Sequence, residues 1–134
     1  MEVRTMKNLV KIGLALVLTI LLTNVVFAQP VEEKEYDQYL IKALKDENVG
    51  VRSSAAQLLG ERKVVDAVDP LVKMVKSEDN SGARIVAAMA LYQIGDEKAL
   101  PTLKTVAAKD KNKTVRRVVT AIVNQMESTQ VAQK

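Results

Sequence analysis

The sequence predicts an all-α fold, a short α-solenoid of about three helical hairpins, on three observations. A seven-residue phrase is written three times at a spacing of 32 residues with no gap. Its copies are Asp46-Glu47-Asn48-Val49-Gly50-Val51-Arg52, Glu78-Asp79-Asn80-Ser81-Gly82-Ala83-Arg84 and Asp110-Lys111-Asn112-Lys113-Thr114-Val115-Arg116. The same comb brings Ala55-Ala56, Ala87-Ala88 and Val119-Thr120 into step, with Leu59, Leu91 and Val123 behind them and Tyr39, Leu71 and Leu103 ahead of the phrase. Finally, apolar residues after each phrase recur at helical offsets, on one face rather than on alternate sides of a strand. A fixed period of this length means stacked supersecondary units, none of which buries its apolar face alone.

The elements follow in order. First helices are expected over Glu32 to Lys45, Val64 to Lys76 and Glu97 to Lys109, with Tyr36, Val68 and Leu100 on the buried side. Second helices carry the stripes Val51, Ala55, Leu58, Leu59; then Ala83, Ala87, Ala90, Leu91, Ile94; then Val115, Val119, Ile122, Val123, Met126. Asn48, Asn80 and Asn112 stand where each second helix starts, and an Asn oxygen accepts from the unpaired N–H groups of a first turn. The units then span about 32–63, 64–95 and 96–127 within a repeat domain of 29–127, and 128–134 reads as a polar, flexible tail.

The pattern resembles the HEAT repeat, in its short bacterial form known as the phycobilisome-lyase-type HEAT-like repeat. The middle of the chain carries it best, in Ala83-Arg84, Ala87-Ala88, Leu91, Ile94-Gly95-Asp96 and Ala99-Leu100-Pro101. The first unit departs after Leu59-Gly60, where Glu61-Arg62-Lys63 replaces the Ile-Gly turn, and the third replaces its small pair with Val119-Thr120. The resemblance covers about residues 36 to 126. It implies a right-handed stack whose second helices line a concave surface, and it is nearly silent on function, because such repeats occur in scaffolds, adaptors and lyases alike.

Residues 1–28 are a different kind of segment. Arg4, Lys7 and Lys11 make a basic start, an apolar run follows from Ile12 to Phe27, and Val26-Phe27-Ala28 ends it as a signal peptidase requires. This is expected to be an export signal, cleaved before Gln29, placing the protein in the periplasm or outside the cell. A membrane association is expected only through this segment if uncleaved, since the run is broken by Thr19, Thr23 and Asn24 and a span needs about 20 apolar residues. Without it, 17 basic side chains face 15 acidic ones, and the net charge falls from +4 to +2. A near-neutral chain lacks the dense basic stripe of a nucleic-acid binder.

Catalytic ingredients are scarce. The chain has no His and no Cys, which removes the thiol nucleophile, the imidazole base and soft metal sites, and no cofactor is implied. Asp46, Glu78 and Asp110 recur with Arg52, Arg84 and Arg116. The resemblance implies a structural role for them, with the Arg of one unit bonding loop acids of its own or a neighbouring unit. A residue repeated in every unit serves the repeat rather than one site. Asn112-Lys113-Thr114 fits a glycan acceptor, but its recurrence as Asn48 and Asn80 without the Thr favours the cap.

One departure is local to the central unit. Where the first unit has Ser53, Ser54, Gln57 and Gly60, and the third has Arg117, Val118, Ala121 and Asn124, the middle unit has Ile85, Val86, Met89 and Tyr92. This stripe is either a wall of a protein-binding groove or a helix buried on both flanks. Three function classes remain: an exported interaction module binding a protein partner, an enzyme or enzyme accessory of the lyase kind, and a structural unit that self-associates through its end faces.

Overall fold

The computed structural model describes residues 32–132 and, ahead of them, positions 8 and 11. The export signal expected over 1–28 otherwise lies outside the described residues. The chain divides into Met1–Glu33 and Lys34–Lys134, and the repeats lie in the second part. Among the described residues six α-helices form three hairpins: α1 (Glu33–Ala43) with α2 (Val49–Glu61), α3 (Val68–Ser77) with α4 (Ser81–Ile94), and α5 (Leu100–Lys109) with α6 (Lys113–Ala132). α3 and α5 are each entered through a 3₁₀ turn, Val65–Ala67 and Glu97–Ala99. Pro70 and Pro101 sit in the first α-helical turns behind these entries, where a missing N–H leaves no intrahelical bond unmade.

The second helices form one layer, with α4 packed between α2 and α6, and the first helices α3 and α5 back them. Leu59, Leu71, Leu91 and Leu103 are fully buried at the joints, each contributing about 1.5–3 kcal/mol by leaving water. Small residues set the spacing of the layer. Ala55, Ala56, Ala83, Ala87, Ala88 and Ala90 are all buried. At Gly60 an added Cβ would lie 2.7 Å from the Ala90 Cα, so α2 and α4 touch at a distance that only glycine permits there.

The first unit departs from the expected register. Tyr36 and Tyr39 are exposed, Tyr39 by 66%, although Leu71 and Leu103 are buried. Leu40 is the buried residue instead. It stands six positions before Asp46, whereas Leu71 and Leu103 stand seven before Glu78 and Asp110. The 32-residue comb therefore loses one residue ahead of the first phrase, and α1 turns a different face inward. Tyr36 stacks on Tyr39 with ring centroids 6.4 Å apart, and Arg62 lies 5.2 Å above the Tyr36 ring while binding Asp37 at 2.6 Å. Val51, expected on the apolar stripe, is exposed, whereas its counterparts Ala83 and Val115 are buried. At the other end, α6 continues to Ala132, well into the segment expected to be a tail.

Two residues end second helices in the left-handed region: Gly95 at φ 77° and Lys63 at φ 53°. They are 32 positions apart. Around Lys63 the chain closes a Schellman turn, with the Lys63 N–H on the Gly60 carbonyl and the Val64 N–H on the Leu59 carbonyl, both at 3.0 Å. Gly95 closes its helix by a single bond from its N–H to the Leu91 carbonyl at 3.0 Å, so Glu61-Arg62-Lys63 reaches the same left-handed residue through a different bonding pattern, at the steric cost of a Cβ.

Candidate interaction surface

The recurring phrase builds one loop three times. An acid accepts from the Asn N–H two residues on: Asp46 from Asn48 at 2.8 Å, Glu78 from Asn80 at 3.0 Å and Asp110 from Asn112 at 2.8 Å. The Asn oxygen then caps the second helix. Asn48 accepts from Gly50 at 2.8 Å, Asn80 from Ala83 at 3.0 Å, and Asn112 from Thr114 and Val115 at 2.8 and 3.2 Å. The Arg four residues further returns to the loop: Arg52 Nη1 donates to the Asp46 and Glu47 carbonyls, Arg84 Nη1 to those of Glu78 and Asp79, and Arg116 Nη1 to that of Asp110.

The remaining nitrogens reach across to the next unit. Arg52 grips Glu78 through Nε and Nη2 at 2.7 and 3.0 Å, and Arg84 grips Asp110 at 2.8 Å twice. Such parallel pairs are charge-assisted and geometrically specific. The Arg52 hydrogen bonds hold the Glu78 carboxyl below its ordinary range against the opposing effect of burial, with the Asn80 N–H assisting. Arg84 and the Asn112 N–H do the same for Asp110, again against burial. The Glu78 bond raises Arg52 in turn.

On the outer face of the second-helix layer the four central residues separate. Met89 is 49% and Tyr92 40% exposed, while Ile85 and Val86 are half-buried and packed against the core. Met89 and Val86 border a groove between α2 and α4, with Gln57, Glu61 and Gln93. Tyr92 borders a second groove, between α4 and α6, with Glu97, Met126 and Gln130. Tyr92 stands 32 residues after Gly60. Where the glycine lets α2 close on α4, the ring borders the groove between α4 and α6. Sequence spacing could group these residues on a helix face but not divide them between two grooves, since the division depends on the neighbouring helices. The neutral and acidic partners in both grooves, Gln57, Glu61, Gln93 and Glu97, carried no sequence signal.

Among the described residues no cluster of three or more His, Cys, Asp or Glu is placed to hold a metal, and no helix is long and apolar enough to cross a membrane. Paired helices, an inter-unit Arg–carboxylate ladder and a shallow, grooved outer layer define a helical-repeat scaffold. A model of HEAT repeats matches residues 38–123, and the chain belongs to the HEAT-repeat family. A comparison with curated proteins gave no match.

Proposed function

We propose that this protein is an exported HEAT-repeat adaptor that binds a protein partner through the concave face lined by α2, α4 and α6. The observation that supports it is the exposure of Met89 and Tyr92, two large side chains on the central helix whose counterparts are Gln57 and Gly60 in one unit and Ala121 and Asn124 in the other. A flexible thioether and a ring with a polar tip suit a half-wet protein interface. Export rests on the basic start, the apolar run and the Val26-Phe27-Ala28 ending, with the mature chain beginning at Gln29. Within the family, the Ile94-Gly95-Asp96 and Ala99-Leu100-Pro101 runs favour the short phycobilisome-lyase-type form. Self-association through the C-terminal face is disfavoured, because the exposed outer row of α6 is Arg117, Thr120 and Asn124, a polar surface of the kind that caps a solenoid. The test is co-purification from the exported fraction with the parent protein and with Met89→Ser/Tyr92→Ser: the parent retains a partner that the variant loses.

A further inference from the structure

The two inter-unit joints are not equivalent. Both carry an Arg–carboxylate pair, Arg52–Glu78 and Arg84–Asp110, yet the Arg52 side chain is 20% exposed and the Arg84 side chain 4%. The difference traces to the residue missing from the comb ahead of Asp46. With α1 turned by that step, Leu44 is buried one position from the register of the other units, and the first joint stands open over Arg52. The opening is a cavity of about 220 Å³ whose apolar side is formed by Leu44, Pro70 and Met74 and whose polar side carries Lys45, Lys73 and Arg52. At the second joint the counterparts of Lys45 and Lys73 are Ser77 and Thr105.

The charges in this cavity are uneven. Glu78 also lines it, but both its oxygens are committed to Arg52. Neither Lys45 nor Lys73 forms a salt bridge among the described residues. Arg52 has spent four of its N–H groups on Asp46, Glu47 and Glu78, and a guanidinium has five. Two lysines without an ion pair and an arginine with one uncommitted N–H thus line a cavity that also has an apolar wall. That is the chemistry of a carboxylate on a short hydrocarbon stem: the stem covers apolar surface, and the anion takes charge-assisted hydrogen bonds from the two lysines that have no ion pair. The volume falls below that of drug-sized sites, so the stem is a few carbons long.

We propose that the first joint is a binding site for such a carboxylate, supplied either by a free short-chain acid or by the C-terminus of a peptide with an apolar last residue. The site is separate from the Met89 and Tyr92 face, and either can fail without the other. The test is an amide NMR titration of the full chain with hexanoate, with hexanol, and with an acetylated tripeptide ending in Leu as free acid and as amide. Saturable shifts centred on Leu44, Lys45, Lys73 and Met74 are expected with a carboxylate, and at least tenfold weaker binding in Lys45→Gln/Lys73→Gln. That variant changes only exposed side chains and should keep the parent melting temperature. Response to hexanoate alone identifies a free acid as the ligand, and equal or stronger response to the peptide acid identifies a chain terminus. The proposal is overturned if neither carboxylate gives saturable shifts, if hexanol or the peptide amide matches its acid, or if the lysine variant binds as the parent does.

Discussion

Arg84 donates from Nε and Nη2 to the two carboxylate oxygens of Asp110, at 2.8 Å each, across the joint between the second and third units. It is the one charged residue in the buried set among the described residues. Its other terminal nitrogen closes the loop of its own unit on the Glu78 and Asp79 carbonyls, so a single guanidinium fixes both the turn inside one hairpin and the docking of the next.

Removing that group leaves the mostly buried Asp110 carboxylate without its guanidinium partner. Arg84→Ala should therefore lower stability in urea by about 3–5 kcal/mol, the range for breaking a buried pair from one side. Arg52→Ala should cost less, because the Arg52 side chain is 20% exposed against 4% for Arg84, so less of the first pair is withdrawn from water. Equal losses for the two variants would mean that the joints are equally dry.

Acid should act on the same pairs. Glu78 and Asp110 are held below the ordinary carboxylate range by Arg52 and Arg84, and on unfolding they return to about 4. The unfolded chain then binds protons more readily, so their contribution is complete above that value and is lost as pH falls through the depressed folded values. Urea midpoints should decline below about pH 4, and Glu78→Gln/Asp110→Asn should be less stable at neutral pH with a shallower acid decline. An unchanged acid slope in that variant would place the titrating groups elsewhere.

Lys63 holds a left-handed conformation that Gly95 adopts without a Cβ. Lys63→Gly should stabilise the protein by about 0.5–1 kcal/mol, the steric relief outweighing the added freedom of the unfolded chain. The reverse change, Gly95→Ala, should destabilise by about 1 kcal/mol. Thermal melts of the two variants should move in opposite directions, and a lower melting temperature for Lys63→Gly would contradict the cap geometry.

The hairpins were legible because a period repeated three times averages out local exceptions. Leu59, Leu91 and Val123, in step along the chain, are all buried in the second-helix layer. Tyr39 marks the limit of the same reasoning: it completes a comb with Leu71 and Leu103 yet is exposed, and only the shorter distance from Leu40 to Asp46 signals the slip. The turn at Lys63 was hidden because its residue type does not announce a positive φ, although its register with Gly95 does. The two grooves flanking α4 were not legible at all, since each is lined by residues that neighbouring helices bring to Met89 and Tyr92.

The central claim, that the outer face of α4 serves recognition rather than packing, is tested most directly by measuring melting temperature and partner capture on Met89→Ser/Tyr92→Ser together. The account predicts a helical spectrum like that of the parent, stability within about 1 kcal/mol as befits surface substitutions, and loss of the captured partner. A stability loss of about 2–5 kcal/mol, the cost of emptying core positions, would contradict it.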